Sequence, residues 1–267
     1  MMKTQLGDTN LLVSRIGLGT VKLGRNQGVK YPQPFELPSD NEVLNLLACA
    51  QDLGINLLDT APAYGTSEER LGVLLQGQRH EWILATKAGE EFVNGESFYD
   101  FSKKNIQHSV ERSLQRLKTD YLDIVLIHSN GDDKKIIEQD EALITLASLK
   151  KAGLIRAFGM SGKTIEGGIL ALDHSDLVMV TYNPIETTEL PVITYAQQKN
   201  KGVFIKKAFA SGHLNKFAAD HKDPVKTAMQ FIFQQPGVTS VILGTLSEDH
   251  LRHNVNAFQK RTDKETL

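Results

Sequence analysis

Short apolar runs rich in β-branched residues alternate along this chain with longer segments whose apolar positions recur every three or four residues. The short runs fall at residues 16–20, 55–59, 82–87, 122–128, 155–160, 177–182, 203–207 and 240–243. Runs of that length that are apolar on both faces read as strands of a buried parallel sheet. Helical periodicity fills the intervals, at residues 41–53, 67–75, 102–117, 135–151, 164–174, 189–200, 223–234 and 248–258. Eight strand–helix units with no break in composition predict an α/β fold, a closed (β/α)8 TIM barrel, with residues 1–267 as a single domain. An open doubly wound sheet is the alternative. It would carry a Gly-x-Gly-x-x-Gly turn after its first strand, and no such turn is present.

Local signals support these boundaries. Residues 4–14 read as a short N-terminal β-hairpin turning near Asp8 to Asn10. Thr66 and Glu69 have the spacing of a capping box. Gly153 follows Lys150 and Lys151, a normal helix end. Two loops exceed what a connection needs. One spans residues 22–39 with Tyr31 and Phe35, and the other spans residues 88–101 with Phe92, Phe98, Tyr99 and Phe101. Both follow strands, so both are expected to wall a pocket at the carboxyl-end mouth.

Composition narrows the class of partner. Net charge is −2, and the chain has no long basic run, which argues against nucleic acid and membrane surfaces. No apolar run approaches the length that spans a bilayer, and the N-terminus lacks a basic, then hydrophobic, leader. Cys49 is the single cysteine, so no internal disulfide can form. It sits in an amphipathic pattern as a small core residue. A reduced, cytoplasmic location is expected, with no metal site.

The chemistry concentrates at strand ends. Asp59 ends the second apolar run, Tyr64 follows it in a tight loop, Lys87 ends the third and His128 ends the fourth. A phenol ionises near pH 10, and a cation close to its oxygen lowers that value. Lys87 can supply the cation, Asp59 can hold Lys87 charged, and His128 can orient a substrate oxygen. A Tyr acid beside a cation suits protonation of an oxygen on which negative charge builds, as in carbonyl reduction. An Asp–Lys pair across strands is also an ordinary structural ion pair, and a single Tyr or His is often only packed. The conjunction of four at one end is what points to a site. Lys87 as a Schiff-base amine of a lyase or aldolase is a further reading, opposed by Asp59, because an anion raises the lysine pKa.

These motifs resemble those of the aldo-keto reductase superfamily. Leu18-Gly19-Thr20, Asp59-Thr60-Ala61 with Tyr64-Gly65 and Ser67-Glu68, Ala85-Thr86-Lys87, Ser113 to Leu117, Asp120 to Asp123 and Leu126-Ile127-His128 carry the resemblance, which extends over nearly the whole chain. It implies a (β/α)8 oxidoreductase that reduces aldehydes and ketones with NADPH, NADH being possible, and a catalytic tetrad of Asp59, Tyr64, Lys87 and His128. Tyr64 is then the proton donor. The implied cofactor positions are Gly19, Thr20, Ser161, Gly162, Met179, Lys206, Ser211, Gly212, Leu214, Gly244, Thr245, Ser247 and Asn254. Several depart from the family pattern. Gly162 replaces an Asn, Met179 stands where Gln is usual, Lys206 replaces a stacking aromatic, and Gly244 and His250 replace basic residues for the 2′-phosphate. These departures imply at most a weak NADPH preference. They also support an alternative, a cofactor-binding regulatory protein with little turnover. Assembly is expected to be a monomer or a weak homo-oligomer.

Overall fold

A computed structural model describes residues 2–213 and 223–262. The chain opens with an antiparallel hairpin, β1 (Lys3–Gln5) and β2 (Leu12–Ser14). Then come β3 (Ile16–Gly19), α1 (Val21–Gly24), α2 (Asp40–Asp52), β4 (Leu57–Asp59), α3 (Ser67–Leu74) and β5 (Ile83–Ala88). A second antiparallel hairpin, β6 (Glu90–Val93) and β7 (Glu96–Tyr99), interrupts the alternation. It resumes with α4 (Lys103–Leu117), β8 (Leu122–His128), α5 (Asp133–Glu138), α6 (Ala142–Lys151), β9 (Ile155–Ser161) and α7 (Ile165–His174). The last elements are β10 (Leu177–Thr181), α8 (Leu190–Gln198), β11 (Gly202–Lys206), α9 (Pro224–Phe233), β12 (Ser240–Leu243) and α10 (Glu248–Thr262). Eight parallel strands close in the order β10-β11-β12-β3-β4-β5-β8-β9. The predicted TIM barrel and its N-terminal hairpin are therefore both present.

Strand geometry explains where the core sits. Successive side chains point to opposite faces. One parity, including Leu58, Leu84, Val125, Phe158, Val178 and Ile205, packs outward against helix residues such as Val43, Leu46 and Leu71. The other parity, Leu57, Ala85, Leu126, Ala157, Met179 and Phe204, fills the barrel. Leu6, Leu11 and Val13 of the first hairpin join that inner cluster and plug the amino-terminal end. Cys49 is buried on α2, as expected.

Three local expectations are corrected. The helix expected at 135–151 breaks into α5 and α6, because Glu141 adopts a left-handed backbone with φ 52°. Thr66 makes no side-chain cap on α3. The capping box is on α2 instead, where Ser39 accepts from the Glu42 amide and the Glu42 carboxylate accepts from the Ser39 amide. Residues 88–101, expected as an irregular loop, hold the β6–β7 hairpin, whose turn is Asn94 (φ 53°) and Gly95 (φ 89°). Two positive φ values in sequence are what an Asn-Gly hairpin turn requires.

Candidate active site

The inward parity continues up each strand, and at the carboxyl ends it changes from apolar to polar. Above Leu57 stands Asp59, above Ala85 stands Lys87, and above Leu126 stands His128. Above Met179 stands Thr181, and above Phe204 stands Lys206. Ser161 ends the inward row of β9, while β3 contributes Gly17 and Gly19, which have no side chain to fill the space. A Cβ on Gly19 would come within 3.1 Å of Ile242. The result is a cavity of about 940 Å³ over this polar ring, at the upper end of the usual range for ligand sites.

Within it, the Lys87 ammonium is 2.6 Å from Asp59 Oδ1 and donates to the Thr60 carbonyl at 2.9 Å. Both partners of this pair are nearly inaccessible to water. Burial alone would lower the Lys87 pKa, but Asp59 and Tyr64 outweigh it, and the group stays a cation. Lys87 Nζ lies 4.7 Å from the Tyr64 ring centre and hydrogen-bonds to the phenol oxygen. Tyr64 is held by a tight loop in which its amide donates to the Ala61 carbonyl and Gly65 takes φ 61°. Burial raises the Tyr64 pKa, and Lys87 opposes that rise without cancelling it. The expectation that the cation leaves the phenol below its ordinary value is thus corrected. The Tyr64 and His128 rings meet edge to face, 6.3 Å between centres.

His128 has a partner that sequence reasoning missed. Glu90 Oε2, at the start of β6, lies 2.6 Å from His128 Nδ1. The contact places an anionic group directly against the imidazole. Burial would raise the Glu90 carboxyl, but hydrogen bonds and charge from His128 win and hold it down at about 2. Burial pushes His128 down and Glu90 pushes it back up, with a net fall. The signal that could have revealed Glu90 was Asn94-Gly95 between alternating residues.

Most cofactor positions expected from sequence line the same cavity. Gly19, Thr20, Ser161, Gly162, Met179 and Lys206 do so on one side, and Ser211, Gly212, Gly244, Thr245 and Asn254 on the other. Thr20 has a structural role as well, since its hydroxyl donates to the Asp59 carbonyl at 2.9 Å and accepts from Ser67 at 2.8 Å. Ser247 faces a separate surface cleft and caps α10, accepting from the His250 amide. Leu214 lies outside the described residues. After β11, Lys207 (φ 53°), Ala210 (46°), Ser211 (58°) and Gly212 (94°) take left-handed backbone. Strain of this kind persists where surrounding structure imposes it, commonly at ligand sites. Tyr31 and Lys22 also line the cavity, with Lys22 Nζ 4.1 Å from the Tyr31 ring centre. The loop at 22–39 is therefore a wall. No residue of 88–101 lines the cavity. That segment packs one layer behind, with Arg25 over the Phe92 ring at 3.3 Å. Among the described residues no cluster could hold a metal ion, and no helix is long and apolar enough to cross a membrane.

Comparison with known proteins agrees with the barrel fold. A solved structure of a putative aldo-keto reductase from Pseudomonas aeruginosa superposes with a TM-score of 0.88 at 51% identity, covering 97% of this chain and 94% of that one. The oxidoreductase YqkF of Bacillus subtilis, itself uncharacterized, is 29% identical over 98% of this chain and 92% of its own length. L-galactose dehydrogenase of Arabidopsis thaliana is likewise 29% identical, over 98% of this chain and 91% of its own. The model of the aldo/keto reductase family matches residues 15–228. With the barrel and this ring of side chains, that match makes the chain a member of the aldo/keto reductase family and an oxidoreductase.

Proposed function

We propose that this chain is an NAD(P)H-dependent carbonyl reductase, converting aldehydes and ketones to alcohols, with residues 1–267 working as one domain. The observation that carries the reading is the Lys87 ammonium held between the Asp59 carboxylate and the Tyr64 phenol at the mouth of the cavity. The residues present fit a dinucleotide. The cavity is large, several of its walls are bare glycine backbone, and a strained turn and the Thr245 hydroxyl stand on one flank. When bound, the nicotinamide supplies hydride. Gly19, Ser161, Gly162, Met179 and Lys206 would hold its ring end, and Ser211, Gly212, Gly244, Thr245 and Asn254 the phosphates and adenosine.

The protein's own groups do the rest. Tyr64 gives its hydroxyl proton to the carbonyl oxygen as charge builds there, and the adjacent Lys87 cation stabilises the phenolate left behind. Asp59 keeps Lys87 protonated and in place. His128, edge to face with the Tyr64 ring and lining the cavity, orients the same oxygen. The carbonyl compound is a small molecule, the chain acts in the cytoplasm, and assembly is monomeric or weakly homo-oligomeric. A cofactor-binding regulator with little turnover is the second reading, favoured by one observation: Lys206 already engages Ser161 and Gly162.

Titration with NADPH and NADH by quenching of protein fluorescence, followed by a screen of aldehydes and ketones, tests both readings. Binding with turnover supports the reductase, binding without turnover supports the regulator, and no binding refutes both.

A further inference from the structure

The polar ring holds two inward lysines in different states. Lys87 is locked to Asp59. Lys206, at the end of β11, has only neutral acceptors. Its Nζ donates to Ser161 Oγ at 3.0 Å and to the Gly162 carbonyl at 2.7 Å. No carboxylate among the described residues comes within salt-bridge distance of it. A free amine has two N–H bonds and one lone pair, whereas an ammonium has three N–H bonds. The two acceptors satisfy the amine fully and would leave a third ammonium proton without a partner among the described residues. The lone pair then points away from both acceptors, and Lys206 borders the cavity where small molecules enter.

We propose that Lys206 is an aldehyde-reactive amine, whose Nζ condenses reversibly with small aldehydes entering the cavity. The nitrogen lone pair attacks the carbonyl carbon and a C–N bond forms. The amine loses both protons, the carbonyl oxygen leaves as water, and a C=N bond remains. No oxidant or reductant is consumed. The charges around Lys206 bear this out. Burial lowers its pKa most, Lys207 and Lys87 lower it further, and Glu189 and Asp133 raise it, with a net value of about 8. Against an ordinary lysine near 10.4, roughly two hundred times more of it is free base at pH 7. The inference is independent of the redox reading, because it needs neither cofactor nor turnover.

The test is reductive trapping of the whole chain with propionaldehyde and sodium cyanoborohydride, followed by peptide mass mapping. At pH 7 the propyl group is expected on Lys206 at least tenfold faster than on any other lysine. Its labelling rate should level off between pH 8 and 9 while surface lysines continue to rise to pH 10. Lys206→Arg should remove that fast phase, but the wild-type map decides the question even if the variant misfolds. Label spread over exposed lysines with Lys206 untouched, label on Lys87, or a Lys206 rate that climbs to pH 10 with the rest would overturn the proposal.

Discussion

At the scale of single residues, three substitutions test the roles proposed for the site. Tyr64→Phe removes the only proton that Tyr64 can give and leaves the cavity shape almost unchanged. Reduction should fall by about 10²–10⁴ with cofactor dissociation constants within a few-fold of wild type, and steady-state rates beside fluorescence titrations check this. Lys87→Met removes the group that opposes burial at Tyr64. The alkaline limb of the reduction profile, where the phenol deprotonates, should therefore move up in pH. It also strands the buried Asp59 carboxylate, a loss on the order of 3–5 kcal/mol, so the profile is read alongside circular dichroism. Glu90→Gln acts through His128. The Glu90 carboxyl sits at about 2 in the fold against an ordinary 4.5, so its stabilising contribution is complete above pH 4.5 and disappears as pH falls toward 2. Urea midpoints of the wild type should thus decline more steeply across that window than those of the variant. The variant should also lose about tenfold in kcat/KM, since a charge-assisted contact to the imidazole is gone.

At the scale of elements, the strands and helices were legible because each carries its own period, and the ring residues were legible as polar positions closing apolar runs. Asp59, Lys87 and His128 needed nothing but the ends of β4, β5 and β8. What escaped were relations between distant segments. Lys206 meets Ser161 across 45 positions of sequence, and nothing local announces it. Glu90 reaches His128 only because a hairpin places it there, and the aromatic residues of that hairpin invited a reading as pocket wall. The α5–α6 break was hidden because both pieces keep helical periodicity across Glu141. The cap at Ser39 is a property of α2 that can be measured directly. Ser39→Ala should cost about 1 kcal/mol, roughly 2–4 °C in melting temperature for a chain of this size, with no change in cofactor binding.

At the scale of the whole molecule, cofactor choice depends on charge spread over several segments. Lys206, Lys207, His250 and His253 line the cavity, whereas Arg252 pairs with Glu248 at 3.8 Å and does not. A complete clamp on a 2′-phosphate would contribute roughly 1.5–3 kcal/mol per charged contact. With the clamp incomplete, dissociation constants should favour NADPH over NADH by less than about tenfold, and a clear NADH preference would refute this. The barrel's floor has a separate consequence. Leu6, Leu11 and Val13 pack beneath Met179 and Phe204, so among the described residues traffic passes through the mouth alone. Whatever rests deepest must arrive first and depart last, and the molecule above it must clear the way. Such a queue predicts compulsory-order kinetics, with the last product to leave competing only against the first reactant to enter. Product-inhibition patterns that show random order would mean that the door is wider than the ring beneath it.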